Sequence, residues 1–288
     1  MTAGAAREAR RPRYASAMRA AVCQLNGAGA VADNIATALR LLADAASEGA
    51  ELAVLPELFA RYGSHADMRA IGEPVGGPIT VALADAARSL AIWVLGGSIC
   101  EIDGGRVFNT SLLFDPSGEI VARYRKIHLY DVDLPDQRPI RESALFAAGE
   151  ELVTHAVGDL RLGLSICYDL RFPELYRGLM VAGASVLAVP SAFQAFTGRA
   201  HWEPLLRARA IEEQAYVVAA AQWGPWGPPE SGHRTFGHSM IVDPWGTVLA
   251  SAGEEGDAVV LAELDPAEVR RVRTTLPALT HRRLGTVC

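Results

Sequence analysis

Hydrophobic positions along the chain fall into two patterns. Short runs that are apolar throughout, such as LAVL at Leu52–Leu55 and VLAV at Val186–Val189, read as strands covered on both faces. Longer stretches with apolar residues three or four apart read as helices with one buried face. In chain order, Arg19–Leu25 predicts a strand. Asp33 predicts the cap of a helix running to about Glu48, with Ile35, Leu39 and Leu42 on one face and Gly49 ending it. Leu52–Leu55 comes next as a buried strand that stops at Pro56-Glu57. Pro78–Leu90 predicts a helix and Ile92–Ile99 a strand. Phe108–Phe114 and Glu119–Tyr124 predict a hairpin around Asp115-Pro116-Ser117-Gly118, a strong turn sequence.

The same order then recurs. Leu160–Cys167 predicts a strand, Glu174–Val181 a helix, Val186–Val189 a strand ending at Pro190-Ser191, Trp202–Gln214 a helix and Tyr216–Ala221 a strand. A hairpin turns at Asp243-Pro244-Trp245-Gly246. The local texts agree: EGAELAVLPELF (48–59) against VAGASVLAVPSAF (181–193), and NTSLLFDPSGEIVARY (109–124) against GHSMIVDPWGTVLASA (237–252). The repeat predicts two α/β halves related by a pseudo-twofold, with sheets face to face and helices outside: a four-layer αββα sandwich. In this reading Cys23 takes the place of Cys167, and Ser191 that of Glu57. The halves therefore differ at their strand ends, where α/β folds place their chemistry. A last strand, Asp257–Leu264, leads into a helix capped by Asp265 with Pro266 at its first position. The basic stretch Pro277–Cys288 is expected to pack on a surface or a second subunit. Residues 1–17 are Ala/Arg-rich without periodicity and read as a disordered tail. Met18, directly before the first strand, is a candidate true start, and 18–288 reads as one domain.

Composition narrows the class. The 288 residues are 50% hydrophobic and 21% charged, which allows a sizeable core. A net charge of -6 without a basic stripe argues against nucleic acid as a partner. No apolar run reaches the roughly 18 residues of a membrane span, and the N-terminus has no secretory apolar region. Cys23, Cys100, Cys167 and Cys288 are far apart and form no CxxC, so neither a disulfide framework nor a zinc site is expected. These features predict a cytoplasmic, reduced protein with no metal or other cofactor.

The candidate chemistry centres on LRLGLSICYDLRFPELYR, Leu160–Arg177. Cys167 closes an apolar strand and precedes a helix that starts at Pro173 with Glu174 in its first turn. A thiol in that setting loses its proton more readily. A buried core thiol is the plainer alternative. Ser165 shares a strand face with Cys167 but lies deeper and reads as packing, since the segment lacks the last glycine of a nucleophile elbow. Two more polar groups succeed apolar strands: Glu57 after LAVLP, and Lys126 in RYRKIHLYD. A carboxylate can take the thiol proton and return it to a leaving group. A lysine stabilises thiolate and oxyanion, with the Tyr168 N–H as second oxyanion donor. Singly, Glu57 also reads as a loop cap and Lys126 as a solvated charge. His201 and His233 read as structural or exposed, and the stiff loop holding Trp223 and Trp226 as a plain surface loop, with a border of the pocket as the alternative.

Together, LPELF, YRKIHLYDVDLP and ICYDLRFPELYR resemble the three signature blocks of the nitrilase superfamily of carbon–nitrogen hydrolases, and the likeness runs from about Met18 to the C-terminus. It implies an αββα sandwich, commonly dimerised, and a Glu-Lys-Cys triad at Glu57, Lys126 and Cys167. The glutamate would act as base and then acid, and the cysteine would carry the acyl group as a thioester. The family's second glutamate corresponds to Glu142, for which a salt bridge to Arg138 or Arg141 is the alternative. Tyr168-Asp169, where nitrilases proper have Trp-Glu, is similar to the amidase branches. TGRAHWEPLLRARAIEEQAYVVAAAQ, FGHSMIVDPWGTV and the HxYDxDxP pattern at His128–Pro135 resemble deaminated glutathione amidases and omega-amidases. That implies a linear amide of a small carboxylic acid as substrate, ammonia as product, and a homodimer or higher homo-oligomer. Such substrates carry carboxylates, which Arg171 beside the nucleophile is placed to bind unless it bridges to Asp169 or Glu174. An N-carbamoyl amide hydrolase and a non-catalytic binding protein on the same fold are the alternatives.

Overall fold

The computed structural model describes residues 16–133 and 139–285. The first half of the chain supplies strands β1 (Met18–Gln24), β2 (Leu52–Val54), β3 (Trp93–Leu95), β4 (Ile99–Asp103), β5 (Arg106–Phe114) and β6 (Ile120–Arg125), with helices α1 (Val31–Ser47), α2 (His65–Ala70) and α3 (Pro78–Leu90). Two short strands, β7 (Asp131–Val132) and β8 (Ile140–Arg141), pair in the connection between halves. The second half supplies β9 (Thr154–Val157), β10 (Leu160–Leu164), β11 (Val186–Ala188), β12 (Tyr216–Ala219), β13 (Trp223–Pro225), β14 (Arg234–Phe236), β15 (Met240–Val242), β16 (Val248–Ser251) and β17 (Ala258–Leu264), with α4 (Pro173–Val181), α5 (Ala195–Glu213) and α6 (Pro266–Thr275).

Two sheets result. One runs β17-β1-β2-β3-β5-β4 with β6 also on β5, and the other runs β16-β15-β12-β11-β10-β9. In each, three parallel strands are flanked on both sides by antiparallel ones. Side chains alternate as a pleated strand requires. Ala20, Val22, Leu52 and Val54 join a core shared with Leu162, Leu164, Val186 and Ala188 of the other sheet. Their neighbours Ala21, Cys23, Ala53 and Leu55 pack instead with Leu41, Leu42 and Leu83 of α1 and α3. The architecture is the expected helix–sheet–sheet–helix sandwich with an internal repeat.

Details differ from the sequence reading for local reasons. Helix α1 starts at Val31 from Ala30, so Asp33 lies in its first turn rather than at the cap. Gly49 does end it: with φ 84° it sends its N–H to Ala46 O, and Ala50 N–H goes to Ala45 O, a Schellman closure. The apolar run at Ile92–Ile99 is two strands, because Gly97 turns at φ 57° where a Cβ would sit 2.0 Å from Pro56 O. Strand β10 stops at Leu164, short of Cys167, and α5 starts at Ala195 and carries Pro204 inside it. Asp265 caps α6 as expected, accepting the Ala267 N–H at 2.7 Å.

The equivalence of the two cysteines is overturned by register. Val22 pairs with Val54, Leu164 pairs with Ala188, and both partners stand two residues before a proline, Pro56 or Pro190. Cys23 therefore matches Ser165, and Leu25 matches Cys167. The expected tail at residues 1–17 falls outside the described residues apart from Ser16 and Ala17, which are both exposed. The stretch from Ala278 to Gly285 is largely exposed, and Cys288 lies outside the described residues.

Candidate active site

The Glu57, Lys126 and Cys167 side chains meet at the ends of the parallel strands, each delivered by a turn held from outside. Glu57 comes after β2, and Leu58 beside it takes φ 50°, a strained setting for a branched side chain. That turn is fixed by the Leu58 N–H to Ser98 Oγ (2.9 Å) and by Gln222 Nε2, which donates to Glu57 O (2.7 Å) from the other half. Cys167 has φ 48° and opens a short 3-10 turn, Cys167–Arg171, between β10 and α4. Its N–H bonds to Pro190 O at 2.9 Å. Lys126, just past β6, is anchored by its N–H to Asn109 O (2.9 Å) and its carbonyl to Gly149 N–H (2.8 Å).

The cluster is buried and charged. Lys126 Nζ donates to Glu57 Oε1 at 2.9 Å and to Glu142 Oε1 and Oε2 at 3.0 and 2.8 Å. Asn109 Nδ2 bridges the same two carboxylates, at 2.9 Å to Glu57 Oε1 and 3.0 Å to Glu142 Oε1. The Ala192 N–H donates to Glu57 Oε2 (2.7 Å), and the Tyr130 N–H to Glu142 Oε2 (2.7 Å). Burial alone would lower the Lys126 pKa, but Glu142 and Glu57 outweigh it and hold the amine charged well above the usual lysine range.

The thiol behaves differently from the sequence expectation. Burial, and then the Glu57 charge, push Cys167 well above the ordinary thiol value, against the opposing pull of Lys126. Glu57 acts on the thiol both through its charge and as a hydrogen-bonding neighbour. Cys167 thus rests as a thiol, with Glu57 beside it. The Tyr168 N–H has no acceptor among the described residues. It stands next to Cys167, where the expected oxyanion donor would lie.

A cavity of about 320 Å³ opens over these groups. Glu57, Lys126, Glu142 and Cys167 line it, together with Tyr168 and Arg171. The two alternatives for Arg171 are excluded. Asp169 is fully buried on other partners, Arg171 makes no ion pair with any described carboxylate, and its Nη1 contacts His201 Nδ1 at 3.2 Å. Its guanidinium lies 5.1 Å from the Phe193 ring centre. Glu142 pairs with Lys126, whereas Arg141 pairs with Asp133 at 2.6 Å; Arg138 lies outside the described residues.

Several lining groups were not found from sequence. Tyr62 reaches the cavity from the loop before α2, and its hydroxyl accepts from Gln194 Nε2 at 3.1 Å. The segment at Trp223 and Trp226 is the β13–β14 hairpin rather than a plain surface loop, and Trp226, with His233 from the same turn, lines the cavity, as the alternative reading had it. Trp226 packs 4.9 Å from the Tyr62 ring and stacks on His233. Asn109 had a signal: the repeat places Gly237 opposite it, the same kind of divergence that marks Glu57 against Ser191. Ser165 is packing, as expected, with its Oγ 2.7 Å from Ala188 O and 2.8 Å from Tyr176 OH.

A two-sheet sandwich with a thiol, an ammonium and two carboxylates converging at its strand ends defines a nitrilase-type hydrolase. The chain belongs to the carbon–nitrogen hydrolase family, whose model matches residues 19–274. It is 41% identical over 268 residues to a deaminated glutathione amidase from Synechocystis, spanning 91% of this chain and 97% of that one. It is 37% identical over 269 residues to human omega-amidase NIT2, spanning 93% of this chain and 96% of that one. The crystal structure of Saccharomyces cerevisiae Nit3, a member of branch 10 of the nitrilase superfamily, superposes with a TM-score of 0.82 at 32% identity, covering 93% of this chain and 97% of that one.

Proposed function

We propose that the protein is a cysteine amidase for linear amides of small carboxylic acids, of the deaminated-glutathione or α-keto-acid ω-amide type. The ion pair of Glu57 with Lys126, at the edge of the cavity that Cys167 also lines, carries this reading. The relatives named for such amides support the substrate class. The Cys167 sulfur attacks the amide carbon as Glu57 takes its proton. Lys126 and the Tyr168 N–H hold the oxyanion. The C–N bond then breaks, and Glu57 returns the proton so that ammonia leaves and a thioester remains. Water, deprotonated by Glu57, cleaves the thioester and frees the carboxylic acid and the thiol. Glu142 and Asn109 keep the ammonium and the base in place. Arg171 receives a carboxylate at the far end of the substrate.

Ammonia release from a panel of simple amides, α-keto-acid ω-amides and N-carbamoyl amino acids tests this reading. The ω-amides are expected to turn over best. Carbon dioxide released with the ammonia would mark a carbamoylase instead, and no turnover of any member would favour a binding protein. We further read residues 18–288 as one domain, a reading supported by the extent of the family match. Exposed Val181 and Ile211 on the outer helices α4 and α5 support a homodimer, to be checked by sedimentation. Free Cys23 and Cys100, both buried, support a reducing, cytoplasmic location.

A further inference from the structure

Asp169, two residues after Cys167, is fully buried, and its hydrogen bonds go to neither the Cys167 nor the Lys126 side chain. Its Oδ2 accepts the Tyr124 hydroxyl at 2.6 Å and the Ile166 N–H at 2.8 Å. Its Oδ1 accepts the His128 N–H at 3.1 Å and lies 2.7 Å from His128 Nδ1. A carboxylate only accepts, so Nδ1 carries the hydrogen. Ile166 directly precedes Cys167, while Tyr124 and His128 stand two residues either side of Lys126. One carboxylate therefore grips the Cys167 turn and, on both flanks, the segment that carries Lys126.

The grip has something to hold. Cys167 keeps a left-handed backbone at φ 48°, a state that persists only when its surroundings enforce it. Lys126 sits in the turn after β6, and the His128 ring is held flat against Phe172 at 3.7 Å. The Tyr124 hydroxyl also accepts the Ile127 N–H at 3.3 Å, so the bonds form a closed set around Lys126. We infer that Asp169 is a positioning residue that sets the distance between the Cys167 sulfur and the Lys126 ammonium, an inference that rests on the triad reading above. Its loss leaves the substrate cavity in place but misaligns nucleophile and oxyanion donor.

The test uses Tyr124→Phe, which removes a single hydroxyl, and Asp169→Asn, each in the full chain. Three quantities are measured: kcat and KM on a ω-amide, the rate of Cys167 alkylation by iodoacetamide, and the melting temperature. Misplacement by a fraction of an ångström is expected to lower kcat by about 10- to 100-fold in the folded variants, with KM within about twofold. Alkylation is expected to slow in parallel, and the double variant to be no worse than Asp169→Asn alone. Unchanged kcat and alkylation in folded Tyr124→Phe overturns the inference. So does a loss that merely tracks the unfolded fraction, or losses that multiply in the double variant. If the wild type hydrolyses no amide, the proposed function fails, while the alkylation rates still decide the role of Asp169.

Discussion

Lys126 Nζ stands 2.9 Å from Glu57 Oε1, so the proposed base is tied to its cation before any substrate arrives. The geometry assigns opposite effects to one substitution. Glu57→Gln removes the proton acceptor, and amide turnover should fall by about 10²- to 10⁴-fold. It also removes the negative charge that, after burial, does most to raise the Cys167 pKa. The variant thiol should therefore ionise at lower pH than the wild-type thiol, and alkylation profiles against pH would show it. A profile that shifts upward, or does not move, contradicts the arrangement. Cys167→Ala should release no ammonia while keeping the fold.

Much of this site was legible because it sits where short apolar runs end. LAVL and VLAV announce central strands, and the dipeptide after each, Pro-Glu or Pro-Ser, announces the rim. The Asp-Pro-Ser-Gly and Asp-Pro-Trp-Gly turns fix the hairpins in the same way: Asp115 Oδ1 accepts the Ser117 and Glu119 N–H groups, and Asp243 Oδ1 those of Trp245 and Thr247. The features that could not be read depend on partners distant in sequence. The repeat marks Asn109 by its divergence from Gly237, but nothing in the sequence gives it a role until Glu57 and Glu142 close on it. The left-handed turn at Cys167 is likewise enforced by Pro190 and Asp169 rather than by its own sequence. The raised thiol pKa comes from burial, which a motif does not reveal.

Gly97 links the first sheet to the base. It holds φ 57°, and a Cβ there would lie 2.0 Å from Pro56 O, one residue before Glu57. The left-handed backbone alone costs an alanine about 1–2 kcal/mol. The clash with backbone adds to that, and relief requires moving the Pro56 carbonyl. Gly97→Ala should lower both the melting temperature and kcat, measured on the fraction that stays folded. A variant with wild-type activity would show that the turn tolerates displacement without moving Glu57.

Glu213 offers a test of stability against pH, away from the cavity. Its side chain is fully buried and its pKa is pushed up to about 7, chiefly by burial, against the pull of Arg177 at 3.0 Å. A carboxyl whose folded pKa is raised contributes most below its unfolded value and loses that contribution as pH rises through about 7. Glu213→Gln does not titrate. Its melting temperature relative to wild type should therefore climb between about pH 5 and about pH 8. A gap that stays constant across that range would contradict the burial of the Glu213 carboxyl.

Arg171, proposed to bind the substrate carboxylate, offers a way to separate recognition from chemistry. Its guanidinium faces the cavity without a carboxylate partner among the described residues, and the Phe193 ring 5.1 Å away restrains it. A charge-assisted hydrogen bond to a substrate carboxylate contributes about 1.5–3 kcal/mol, which corresponds to roughly a 10- to 100-fold change in affinity. Arg171→Gln should therefore raise KM for a ω-amide bearing a carboxylate by about that factor, while kcat/KM for an uncharged short amide changes far less. Arg171→Lys keeps the charge but loses the planar fork, and should fall between the two. Equal losses on charged and uncharged amides would move Arg171 from recognition to the support of the Cys167 turn, and the remote carboxylate would then need another partner.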